Sequence, residues 1–238
     1  MSAETRQTLW AMAALIAALA FAASPFLSNG FNGFEPGQFP VPQDDPAVQP
    51  AGYAFSIWGL IYLWLIAGTA FGLWRRRDEE DWAPARPWLT LSLLIGAAWI
   101  PAANVSVPLA TVMIWAMLGT ALMALFRVGD EDRIWQLSPV AIYAGWLTAA
   151  SSVSIGLVLG GYGLLPETPA ALVALVIALA VALTVQYRLH RAPEYGLTVI
   201  WALVAVILSN AQPFNIAVAG LAAIGIAAIL ALRGTDTE

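Results

Sequence analysis

Eight apolar runs of membrane-spanning length set the limits on this fold: about 8–27, 53–74, 87–103, 108–127, 138–159, 169–187, 196–210 and 214–232. The hydrocarbon core of a bilayer is about 30 Å thick and takes roughly 20 residues of helix. Water cannot satisfy a backbone N–H or C=O there, so each run is expected to be helical. We therefore expect an all-α integral membrane protein, a polytopic helical bundle of about eight transmembrane helices in a single membrane domain over 1–238. With 60% hydrophobic and 11% charged residues, the chain carries more apolar surface than a water-soluble domain can hide. Two boundaries are tight. "AAWIPAANVSVPLATV" places Pro101, Asn104 and Pro108 between the third and fourth runs, and "SNAQPF" closes the seventh. Both read as hairpins, because proline interrupts helix. If either is re-entrant, the count falls to seven.

All ten basic residues are Arg, and all ten fall on one side of the alternating connections. Arg6 precedes the first run; Arg75, Arg76, Arg77 and Arg86 follow the second; Arg127 and Arg133 follow the fourth; Arg188 and Arg191 follow the sixth; Arg233 follows the eighth. The opposite connections, 28–52, 102–107, 160–168 and 211–213, hold none. Positive charge stays on the cytoplasmic side. Both termini are therefore expected in the cytoplasm, in a bacterial-type cytoplasmic (inner) membrane. "FAAS" at 21–24 resembles a cleavage site, but its apolar run is long and its charged leader thin, so a retained first helix is expected.

What is missing excludes several chemistries. There is no Lys, hence no retinal or pyridoxal Schiff base, and no Cys, hence no disulfide or thiolate metal site. No charged residue falls clearly inside a run, which argues against a pump, an ion-coupled transporter or a charged channel filter. His190, the one histidine, has no second His or Cys to share a metal or haem. It reads as a loop residue. The net charge of −5 belongs to loops, and no nucleic-acid partner is expected.

The aromatic residues carry the functional signal. In "YAFSIWGLIYLW" (53–64), Phe55, Trp58 and Tyr62 fall on one helical face at i, i+3, i+7. Tyr53, Trp64 and Phe71 fall nearly opposite. An interfacial belt explains Tyr53 and Trp74 at the ends of the second run. It does not explain Trp64 near mid-span, whose indole N–H needs a partner. In the fifth run Tyr143, Trp146, Ala150 and Ser154 share a face. Beside them, Ser152, Gly156 and Gly160 form a ladder of small residues that admits a close neighbour, from the bundle or from a second subunit in a homodimer.

These residues resemble the TspO/translocator-protein family, also called tryptophan-rich sensory proteins. Phe55, Trp58 and Tyr62 match its second-helix pattern, Trp99 and Pro101 its third, and Tyr143, Trp146 and Ala150 a later one, in order over about 50–158. The resemblance implies a five-helix core over 1–160, an additional three-helix segment over 161–238, and tetrapyrrole binding. The chain departs from the pattern where Gly96 and Ser154 replace family asparagines, and the Phe-to-Trp spacing is one residue shorter. Losing two amides favours a more uniformly apolar ligand, such as a sterol, carotenoid or other isoprenoid.

The expected function is that of a membrane receptor, sensor or carrier. It would hold a flat hydrophobic small molecule in an aromatic-lined cavity built by Phe55, Trp58, Tyr62, Trp99, Tyr143 and Trp146, with Asn104, Tyr143 and Ser154 as polar anchors. The bilayer and that ligand are the partners implied. Alternatives are an enzyme acting on a tetrapyrrole-like substrate, for which no base, nucleophile or metal set is evident, and an assembly subunit of a membrane complex. The connection 28–52, rich in Gly and Pro but carrying Phe31, Phe34 and Phe39, is either a cap over the cavity or a segment resting on the bilayer.

Overall fold

The computed structural model describes residues 2–28, 31 and 33–234. Asn29, Gly30 and Asn32 of the long connection lie outside the described residues. Eight α-helices form the bundle: α1 (Ala3–Leu27), α2 (Ile57–Arg75), α3 (Arg86–Ala103), α4 (Val107–Leu125), α5 (Ser138–Gly161), α6 (Glu167–Arg188), α7 (Pro193–Ser209) and α8 (Ile216–Gly234). Each lies on one of the expected runs. Six helical stretches are long and apolar enough to cross a membrane. The other two are α3, with Arg86 and Pro87 in its first turn, and α7, which has 17 residues. The chain is an all-helical integral membrane protein.

Local chemistry places the ends. Ser2 caps α1 by accepting the Thr5 N–H at 3.2 Å. Ser106 does the same for α4, taking the Leu109 N–H at 3.4 Å. Proline sits in the opening turn of α3, α4, α5 and α7, where its missing N–H would be unpaired anyway. The two expected hairpins are present, at 104–106 and 210–215.

α5 is the axis of the bundle. It packs against α2, α4, α6 and α7, while α1 lies on α2 and α3, and α8 on α6 and α7. Most of its residues are buried, among them Tyr143, Trp146, Thr148 and Ser151. Two tyrosine pairs pin its neighbours. Ser92 of α3 gives its hydroxyl proton to the Met117 carbonyl (2.8 Å), so the Tyr143 hydroxyl donates to Ser92 (2.9 Å). Thr148 donates to the Ala144 carbonyl (2.9 Å), so Tyr195 of α7 donates to Thr148 (2.8 Å).

The ladder of small residues on α5 is filled from within the chain. A Cβ at Gly156 would lie 2.8 Å from Val48 and 3.0 Å from Ala174, one at Gly160 would lie 2.9 Å from Gln43, and one at Gly161 2.2 Å from Phe39. The connection before α2 and helix α6 occupy that face.

One end of the bundle gathers all ten Arg side chains. Arg86, 4% exposed, donates to the carbonyls of Gly72 (3.1 Å), Arg76 (2.5 Å) and Arg77 (2.7 Å). It thus satisfies the carbonyls left free where α2 ends. Arg191 reaches the carbonyls of Val128 and Gly129 and the carboxylate of Asp130. Arg133 donates to both oxygens of Glu194 at 2.7 and 2.8 Å, a bidentate, charge-assisted pair. Asp132 accepts from Arg76 (2.7 Å) and from the Trp82 indole (2.9 Å). Burial opposes its charge, but those two hydrogen bonds and the charge of Arg76 prevail and hold the carboxyl below its ordinary range.

Candidate functional site

α1 contributes a side chain that the aromatic motifs do not include. Phe21, 3% exposed, stands edge-on to Trp58 (5.6 Å), Tyr62 (5.0 Å) and Tyr143 (5.7 Å). Such geometry sets the positive edge of one ring on the negative face of another. Gly96 makes room for it, since a Cβ there would lie 2.6 Å from the Phe21 ring. The position where the family carries asparagine is thus taken up by a phenyl ring from another helix. A lone aromatic in the Ala- and Leu-rich middle of α1 was the available signal.

α2 begins later than its periodicity suggests. Residues 52–56 form a short 3₁₀ turn, so Phe55 precedes the α-helix that carries Trp58 and Tyr62. All three still face one cavity, and Trp58 stacks on Tyr62 at 5.3 Å. The other stripe is packing. Tyr53 meets Trp201 at 5.1 Å, Phe71 stacks on Trp135 at 5.0 Å, and the Trp64 indole donates to the Ile134 carbonyl at 2.8 Å. Ile134 belongs to the single π-helical turn, Arg133–Leu137, that precedes α5.

The cavity has two lobes. The larger, about 230 Å³, is walled by Phe21, Phe55, Trp58, Tyr62, Trp99 and Trp146. The smaller, about 80 Å³, runs between α5, α6 and α7. Phe55, Trp99, Trp146 and Ala150 border both. Together they reach the low end of the roughly 300–1,000 Å³ of small-molecule pockets.

Two indoles at this border differ in one respect. Trp99 donates its N–H to the Ala110 carbonyl at 2.8 Å, which locks it to the α3–α4 hairpin. Trp146 is 2% exposed, and its N–H has no hydrogen-bond acceptor among the described residues. The edge-on rings of Phe55 (5.8 Å) and Trp58 (6.2 Å) flank it. A buried N–H without a partner is costly.

The remaining expected site residues stand apart. Ser154 borders the smaller lobe, but its hydroxyl donates back to the Ser151 carbonyl at 2.6 Å. Tyr143 is fully buried behind Phe21, committed to Ser92, and lines neither lobe. Asn104 caps the C-terminus of α3 on the exposed surface and also lines neither.

The described part of 28–52 forms a strap over the cavity. Phe31 and Phe34 stand on Trp99 at 4.7 and 6.4 Å, and Phe39 is buried. Its backbone and side chains are tied to four helix ends. Gln38 donates to the Ala103 carbonyl (2.9 Å), the Val41 N–H to that of Gly161 (2.8 Å), and the Ala51 N–H to that of Ala205 (3.1 Å). The Ala47 N–H donates to the Glu167 carboxylate (2.8 Å), and Asn210 donates to the Ala47 carbonyl (2.8 Å). The strap's Phe31, Val48 and Pro50 form part of the smaller lobe's wall.

No curated protein and no solved structure matches the chain. A family model described as TSPO-like protein matches residues 8–233, taking in α6–α8 along with the five helices before them. With that match running nearly from end to end, the chain belongs to the TSPO-like protein family.

Proposed function

We propose that the protein is a receptor, sensor or carrier that binds a flat hydrophobic molecule (a tetrapyrrole, sterol, or carotenoid or other isoprenoid) in the two-lobed cavity. The observation that carries this reading is the convergence of Trp58, Trp99 and Trp146, from three helices, on one space beneath the strap. The unpaired Trp146 N–H supports it. An acceptor oxygen on a ligand would give that group a partner, fixing orientation in an otherwise apolar site. By the distribution of arginine, the strap end faces outward and both termini lie in the cytoplasm.

The test is quenching of tryptophan fluorescence in nanodiscs by protoporphyrin IX, a fluorescent sterol and retinol. Saturable quenching by at least one is expected. It should weaken about tenfold in Ala150→Phe, which overfills the border of the two lobes. Absence of saturable quenching by all three would overturn the reading. Because the chain has no Cys, cysteines placed singly at Tyr162 and Glu80 report orientation. An impermeant maleimide added to whole cells should label the first and spare the second.

A further inference from the structure

The smaller lobe differs from the larger in chemistry and in shape. Beyond the rings shared at the border and Phe34 of the strap, its walls are mostly aliphatic, with Leu157, Leu175, Ala178, Val199, Ala202 and Val206 among them. Ser152 and Ser154 also touch it, but their hydroxyls donate to the Thr148 and Ser151 carbonyls at 2.8 and 2.6 Å. Among the described residues, Gln49 of the strap is the remaining polar side chain on its wall. The lobe follows α5 from Trp146 to Leu157, roughly 16 Å at the helical rise, and α7 from Val199 to Val206, roughly 10 Å. A volume of about 80 Å³ drawn out over that length is a slot. Such a shape suits a hydrocarbon chain better than a ring.

The wide lobe is the reverse, broad and walled by seven aromatic side chains. Trp146 borders both and carries the unpaired N–H. We infer that the ligand is a two-part lipid: a flat ring in the aromatic lobe, an aliphatic tail in the slot between α5, α6 and α7, and an acceptor oxygen near their junction. This rests on the binding reading above and narrows it. A macrocycle without a tail leaves the slot unused, and a simple fatty chain leaves the aromatic lobe unused.

The experiment compares two probes, 2,3-dimethoxy-5-methyl-1,4-benzoquinone without a tail and the same ring with a ten-carbon tail. Both are titrated into the natural chain, Ala178→Phe and the milder Ala202→Leu in nanodiscs, with quenching as the readout. Partition into lipid is common to all three proteins, so ratios between them report the slot alone. The tailless ring is expected to bind all three within about twofold, while the tailed quinone binds both variants about tenfold more weakly than the natural chain. Equal binding of the tailed quinone to all three would overturn the inference. So would loss of the tailless ring in both variants, since head and tail sites would then not be separate. Saturable quenching by protoporphyrin IX or the sterol, with none by the tailed quinone, would also overturn it while leaving the binding reading in place. Failure of every probe would remove both.

Discussion

The two ends of the bundle are closed by different physics. At the arginine end, guanidinium groups reach across connections and bond to backbone carbonyls and carboxylates. At the strap end, one long segment is held mostly by single neutral hydrogen bonds and by phenyl rings on Trp99. Charge-assisted bonds are roughly twice as strong as neutral ones, and Arg86 is buried as well as multiply bonded. The arginine end is therefore the more firmly fastened of the two, and the strap end the less. Elements that gate ligands come from the low-stability part of a fold, and the cavity lies under the strap.

The largest expected effect tests the rigid end. Arg86→Ala strips three carbonyls of their donor and should cost about 3 kcal/mol, read as a lowered melting temperature in detergent. If the ends are independent, proteolysis of the strap should not accelerate in proportion. Gly96→Asn comes next, at about 2 kcal/mol, because its Cβ strikes the Phe21 ring. Adding Phe21→Ala should cost less than the sum of the two changes, which a double-mutant cycle would reveal.

Asn210→Ala removes the donor to the Ala47 carbonyl and should weaken the strap by about 1.5 kcal/mol. Cleavage within 33–52 should speed up while the global melt hardly moves. Equal losses in both would break the contrast. The smallest effect is titration of Asp132. Its carboxyl is held below the ordinary 3.8, so its stabilisation is full above the unfolded value and disappears as pH falls through the folded one. Solvent screening limits this to about 1 kcal/mol. Asp132→Asn should be less stable at pH 7 and should lose less on acidification, as read by melting curves from pH 7 to 3.

The spans were legible because a bilayer demands apolar length and places Arg on one side, and the hairpins at Pro101–Pro108 and Pro213 followed from proline. The aromatic convergence was legible as three motifs. Depth was not. Helical periodicity puts Tyr143 and Trp146 on one face, yet Phe21 covers the first and leaves the second at the cavity. Nor could the sequence pair Trp82 with Asp132, or Gln38 with Ala103, across separations that local patterns do not reach. Asn104 illustrates the same limit: a polar residue at a helix end is as well suited to water as to a ligand.

The glycines along α5 have a consequence for assembly. Their surface is already spoken for by Phe39, Gln43 and Val48 of the same polypeptide. A sister molecule could press against that row only by prising those side chains away. Dimer formation through it would then come at the expense of the strap's own seat on α5.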